Sequence, residues 1–285
     1  MSKASFPTPD EIVAREAGQR RIAAYAALAS ALLVVIAMIL EYKLGHADVP
    51  DFDATDLAQT LAITKDGGEM PRSFLTAVGQ FQLDHSFENV LIALLRGISI
   101  LLLLPMVLLL VRAVRSRGGQ LGGWVAPVVT AGLALMGILN FAVFGILQLA
   151  IYRSARDAGF APGDIWDAVR DSPSTDVQYV MLLASLITAV AFGMATLQSA
   201  RIGLLPRVVG WLGLVVAFLF VLPLDQPNIF RAIYFSILAF VVSGRAYGGT
   251  LPAWDQGVAV LQEPRMPAAP REPKGRRGKK ADAAE

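Results

Sequence analysis

Few charged side chains in this sequence stand inside a long apolar run, and Arg96 is the foremost. It follows Val90 by about six residues, which places its Cα on the order of 9 Å into hydrocarbon if the run spans a bilayer. A guanidinium at that depth costs at least about 2.5 kcal/mol unless it is paired or reaches back to the interface. Arg96 therefore reads either as half of a structural ion pair or as a cation for an anionic substrate or lipid headgroup, and the structural reading leads. Glu41 closes the preceding apolar run, and with Glu88, Asp225 and Arg231 it forms a belt of opposite charges at a similar level. Asn140 and Gln148, eight residues apart in a third run, add hydrogen-bonding amides. Such a set can line a polar cavity, or it can act as interhelical glue worth about 0.6 kcal/mol per contact. Glu41 is the expected first partner of Arg96 and Glu88 the second.

Other chemistries find little support. With no Cys and only His46 and His85, neither a disulfide framework nor a thiolate or histidine-rich metal site is available. Asp51, Asp53 and Asp56 alternate as in a calcium loop, but the central Gly and distal Glu of an EF-hand are missing, so a solvated acidic loop is the better reading. No Walker-type, nucleophile-elbow or His-Glu-x-x-His motif occurs. Nothing calls for a cofactor.

The elements that must position these residues are apolar helices. The 285 residues are 55% hydrophobic and only 17% charged, where a soluble domain carries about a quarter charged residues. Mean hydropathy is +0.54, and long stretches lack charge altogether. The chain reads as an all-α, polytopic membrane bundle of six transmembrane helices over residues 22–248, at about 22–42, 88–111, 124–151, 177–197, 206–222 and 229–245. Its nineteen uncharged residues from Ile22 to Leu40 favour an uncleaved anchor over a signal peptide. A polar tail, 1–21, precedes them. A long external loop, 45–86, begins acidic and from Pro71 takes on helical spacing, as a short interfacial helix would. Pro105 marks a kink or hinge in the second span. Ser185, Ala189 and Gly193, with Gly210, Gly213 and Ala217, predict close helix packing within the chain. A weak sixth span would need to extend through Gly244. Residues 249–285 read as a disordered basic tail.

Orientation follows the Lys/Arg bias. With the N-terminus inside, about 17 of the 25 Lys and Arg fall on the cytoplasmic side, so both termini are expected there. The lipid bilayer is the expected partner. The cluster Arg276-Arg277-Gly278-Lys279-Lys280 would either draw anionic lipid or reinforce topology as a solvated tail, and no nucleic-acid partner is expected.

The stretch Leu205-Pro206-Arg207-Val208-Val209-Gly210-Trp211-Leu212-Gly213-Leu214 resembles an element of uncharacterised bacterial multi-pass membrane proteins. In that family a Leu-Pro-Arg-x-x-Gly-Trp-x-Gly stretch opens a late transmembrane helix, and the resemblance implies a bacterial cytoplasmic membrane without implying an activity. The leading functional expectation is a non-enzymatic membrane protein with a structural, sensory or interaction role. The alternative is a small transporter or a lipid or small-molecule binder using a polar pocket built from Arg96, Glu41, Glu88, Asn140, Gln148 and Arg231. Reporter fusions within residues 45–86 should score as periplasmic and fusions after Gly249 as cytoplasmic, and a periplasmic C-terminus would reject the six-span topology.

Overall fold

Thr8-Pro9-Asp10-Glu11 is a capping box with proline at the first helical position. The Thr8 N–H donates to Glu11 Oε2 at 2.9 Å and the Glu11 N–H donates back to Thr8 Oγ1 at 3.4 Å. From this start α1 runs unbroken over Pro9–Gly45. At 1.5 Å per residue its 37 residues reach about 55 Å, well beyond the roughly 30 Å of a bilayer core. The expected separate tail over 1–21 is therefore corrected from Pro9 onward. Ile12 and Glu16 are buried against the bundle, so packing overrides the polar composition there.

The computed structural model describes residues 8–45, 74–159, 168–221, 227–246 and 248–261, and among them no strand occurs. After α1 come α2 (Phe74–Asp84), α3 (Ser86–Leu101) and α4 (Leu104–Ser116). Pro105 has no N–H to continue the ladder, and Leu103 turns tightly to bond Ile100 O at 3.1 Å, so α3 and α4 form one broken span. Next are α5 (Val125–Asn140), a π-helical segment (Phe141–Leu147) and α6 (Gln148–Asp157), continuous with one another. The series closes with α7 (Ser174–Arg201), α8 (Arg207–Leu219), α9 (Pro227–Val242) and α10 (Pro252–Gln256).

Among the described residues, four helices have the length and apolarity to cross a membrane: Pro9–Leu44, Ser86–Ser116, Val125–Asp157 and Asp176–Arg201. Two shorter apolar helices, α8 and α9, accompany them. The second of these stops at Val242 rather than 245, because Gly244 turns the chain at φ +79°. Part of the expected loop, Phe74–Asp84, is helical, while residues 46–73 lie outside the described residues.

The helices pack as a closed ring in which α1 meets α3 and α4, these meet α5, α5 meets α7, α7 meets α8, α8 meets α9, and α9 returns to α1. The lower half of the broken span, α4, also packs across the ring on α7. Small residues permit the close approaches. Gly97 and Gly137 face each other where α3 crosses α5, and a Cβ on Gly97 would stand 2.6 Å from the Gly137 carbonyl oxygen. Gly210 lies against Thr196 and Ala200, and Gly193 against Leu214 and Ala217, so these small residues serve packing within the chain.

One end of the ring is locked by charge and an indole. Arg117 is buried and grips Glu16 with both terminal nitrogens, at 2.8 and 2.7 Å. Its Nε donates to the Ala253 carbonyl at 2.9 Å. Trp254, 1% exposed, lies between the guanidinium groups of Arg117 and Arg20, 5.3 and 5.1 Å from its ring centroid. Its indole N–H donates to the Leu204 carbonyl at 2.9 Å. The Val260 N–H donates to Ile202 O at 3.0 Å. At Gly257, φ +66°, a Cβ would stand 2.5 Å from the Pro9 carbonyl oxygen, so the tail passes directly over the start of α1.

The expected disorder from Gly249 is thus corrected for residues 249–261, whose apolar side chains have a docking surface, while 262–285 and the Arg276–Lys280 cluster lie outside the described residues. Trp254→Ala should destabilise the protein by about 3–5 kcal/mol through lost packing. A chain ending at Thr250 should melt several degrees below one ending at Leu261, measured by thermal unfolding in detergent. Equal melting temperatures would show that the docked segment contributes nothing.

Candidate functional site

At the end opposite Trp254 the described residues leave the ring unfilled. A cavity of about 840 Å³ lies between α1, α3, α5, the π segment, α7 and α9. It follows α1 from Glu41 down to Ser30, about 16 Å at 1.5 Å per residue, and the second span from Asn89 to Leu103, about 21 Å. Ala31, Ile100, Leu103, Met136, Phe220 and Phe235 give it an apolar floor. Below them Met106, Leu110, Leu133, Phe192 and Leu238 are fully buried and close the bundle.

Polar groups gather toward the mouth. Arg96 and Glu41 are joined, with Nη2 donating to Oε2 at 2.5 Å, and their side chains are 18% and 41% exposed. The expected pair is therefore present, and it stands in the wall of an open cavity rather than in a closed core. Arg231, one turn above Phe235 on α9, lays its guanidinium 5.3 Å from the Phe220 ring centroid. Asn140 and Gln148 line the same cavity, and so does Phe144 midway between them.

The π segment explains that shared wall. At 3.6 residues per turn, Gln148 would lie about 80° around the helix from Asn140. Seven residues of π-helix, with more residues per turn, reduce that rotation and bring Asn140, Phe144 and Gln148 onto one face. Asn140 Oδ1 is buried there and has no hydrogen-bond partner among the described residues. A buried amide oxygen left in that state costs about 1–3 kcal/mol, so a donor group at this point would be favoured.

Glu88 is the exception. It is exposed, and its neighbour Asn89 faces the cavity instead. Successive helical positions turn by about 100°, and Asn89 shares the inward stripe of α3 with Ile92, Ala93 and Arg96 while Glu88 points outward. Glu88 is therefore removed from the site. Asp225 lies outside the described residues, as do Asp51, Asp53 and Asp56. Among the described residues no cluster of acids or histidines gathers that could hold a metal ion. His85 is not part of the cavity; its Nδ1 lies 3.1 Å from Phe81 O, and its ring packs on that phenylalanine.

Several cavity residues were not legible in the sequence. Phe81 and Gln82 on α2 reach over the mouth, and the Asn89 amide donates to Gln82 O at 3.2 Å, tying α2 to the start of α3. Gln178 and Tyr179 come from the first turns of α7. All sit where apolar runs begin, and polar residues at span ends are ordinary. Ser30, Ser99 and Ser185 also line the cavity, with hydroxyls that donate to the carbonyls of Ser99, Arg96 and Leu182, each at 2.7 Å.

The Leu205–Leu214 element begins at the locked end, and its buried face serves packing. Pro206 caps α8, Arg207 and Trp211 face outward, and Gly210 and Gly213 seat α8 on Thr196. No protein family matches the chain, and no similar curated protein or solved structure is found.

The Arg96–Glu41 pair makes a direct prediction. Arg96→Gln and Glu41→Gln should each lower the melting temperature in detergent, and the double variant should recover about 1 kcal/mol relative to additivity. Strictly additive losses would show that the contact carries no coupling.

Proposed function

We propose that this chain is a six-pass membrane protein that binds a small amphiphile in the cavity at its open end, and that it acts as a binder rather than a catalyst. The observation that carries this reading is the cavity itself. Its 840 Å³ lies within the about 300–1,000 Å³ of small-molecule sites, and it runs from a polar mouth to an apolar floor. The hydroxyls of Ser30, Ser99 and Ser185 on its walls donate to backbone carbonyls. That arrangement suits holding a ligand better than attacking one.

The six-pass orientation, with both termini in the cytoplasm, draws support from the locked end. Pro9 and Gly257 meet there, as an even number of crossings requires. Arg112, Arg115, Arg201 and Arg207 are exposed around it, and Trp124 and Trp211 are exposed beside them, the pattern of a cytoplasmic interface. On this orientation residues 45–86 and the cavity mouth face outward. The element at Leu205–Leu214 supports placing the chain among the uncharacterised bacterial multi-pass proteins it resembles, in a cytoplasmic membrane. The short helices α8 and α9 are then accommodated by local thinning or by their flanking turns.

The test is an organic extract of protein purified in mild non-ionic detergent. Wild-type protein should carry a small amphiphile at near-stoichiometric amount, detected by mass spectrometry. A Ser185→Phe variant, which places a ring in the cavity, should lose it while keeping its fold by circular dichroism. Identical extracts from the two would reject the binding reading.

A further inference from the structure

Resting on that reading, we infer that the occupant is a neutral lipid with a hydroxylated head, held by side-chain amides rather than by charge. The described lining of the cavity carries five carboxamides, Gln82, Asn89, Asn140, Gln148 and Gln178, each from a different helix. The charged side chains of that lining are already engaged. Arg96 is paired with Glu41, and Arg231 lies over the Phe220 ring and has a further contact of its own. The polar capacity left for a ligand is therefore mainly that of neutral amides, each with two N–H donors and a carbonyl acceptor.

Asn140 fixes what the ligand must offer. Its Oδ1 is buried without a hydrogen-bond partner, so the ligand must bring a donor to it. An ester or ether oxygen only accepts. A hydroxyl both donates and accepts, so it can satisfy the amide whichever of its two ends turns toward the ligand. The amide also stands where a head would join its chain. Met136, about one turn below on α5, belongs to the apolar floor, while Gln148 lies on the mouth side of the same wall. Gln82, Asn89 and Gln178 stand nearer the mouth, so further hydroxyls on one head meet further amides.

The cavity has a side that gives onto the outer surface of the bundle, which makes a lipid the source of the head. Phe144 on the π segment and Leu182 on α7 line it and are 41% and 48% exposed. Tyr179 is also in the lining, and from it an exposed stripe of α7 continues through Leu183 and Leu186. The wall here is shared between cavity and outer face. A lipid can reach the amides across it with its chain in hydrocarbon throughout.

The experiment is native mass spectrometry of the full chain released from an amine-oxide detergent, whose head has no hydroxyl to compete. The probes are oleoylglycerol, its di-O-methyl ether, oleyl glucoside and oleoyl lysophosphatidate. Oleoylglycerol or the glucoside should bind at least about tenfold more tightly than the ether, and the tighter of the two assigns the head as a glycerol or a sugar. Lysophosphatidate should bind no more tightly than oleoylglycerol. Asn140→Leu should weaken oleoylglycerol about tenfold and leave the ether unchanged. Because the buried Oδ1 has no partner to lose, this variant should melt no lower than wild type when free of ligand. Equal binding of the ether would overturn recognition through hydroxyls, and tighter binding of lysophosphatidate would overturn the neutral head, both leaving the cavity as a binding site. Oleoylglycerol binding insensitive to Asn140→Leu would show that water alone serves this amide and would overturn its role. A large fall in the ligand-free melting temperature would make Asn140 structural and overturn that role as well. If no probe binds, and the extract of purified protein is empty too, the binding reading itself falls.

Discussion

The buried ion pair of Glu16 with Arg117 is the contact on which the rest of the architecture depends. Two charges so far from water contribute little net stability, but each makes the other indispensable, since a lone buried charge costs about 3–5 kcal/mol. The pair holds the first turns of α1 against the end of α4, and the same guanidinium takes the Ala253 carbonyl. Three segments distant in sequence therefore meet at one point. Trp254 fills the space between Arg117 and Arg20, and Leu204 fixes its indole, which adds the α7–α8 turn to the same knot. Once this end is tied, the helices leave it as a ring whose other end, among the described residues, is held by the more exposed Arg96–Glu41 pair.

The open end is shaped by departures from regular helix. Pro105 breaks the second span so that α4 fills the ring while α3 lines a cavity. The π segment turns Asn140, Phe144 and Gln148 to one wall. Gly97 and Gly137 let α3 and α5 touch at the backbone, which leaves Arg96, one residue earlier, beside the space rather than sealed between helices. Each device weakens local regularity, and together they surround an unfilled volume that a well-packed interior would not keep.

Much of this was legible from spacing alone. The depth of Arg96 demanded a partner, and the antiparallel first two spans put Glu41 at the same level, where the structure has it. Asn140 and Gln148 stood out because an amide in an apolar run must find something to do. Glu88 misled because proximity in sequence does not specify a helix face. The locked end was hidden for a different reason. Averaged over residues 249–285 the composition is that of a disordered tail, and the short apolar run from Leu251 to Leu261, with its single tryptophan, disappears in the mean. Pro252 opening a turn and Gly257 closing it were the available signal. The polar first turns of α1 were similarly concealed, because burial of Glu16 depends on Arg117, about a hundred residues away. No local pattern announces a partner at that separation.

Packing below the cavity floor has a thermodynamic meaning. Met106, Leu110, Leu133, Phe192 and Leu238 are fully buried, so the bundle is densely packed beneath the cavity floor. A ligand moving from the cavity toward Trp254 would have to displace these side chains and disturb the knot at Arg117. Under the proposed binding, a cavity that exchanges with a single reservoir would do no vectorial work, and its occupancy would follow the chemical potential of the ligand in that reservoir. On the proposed orientation and binding, occupancy would follow the supply of ligand on the outer side, while the segment 249–261, docked on the start of α1, lies at the opposite end of the bundle.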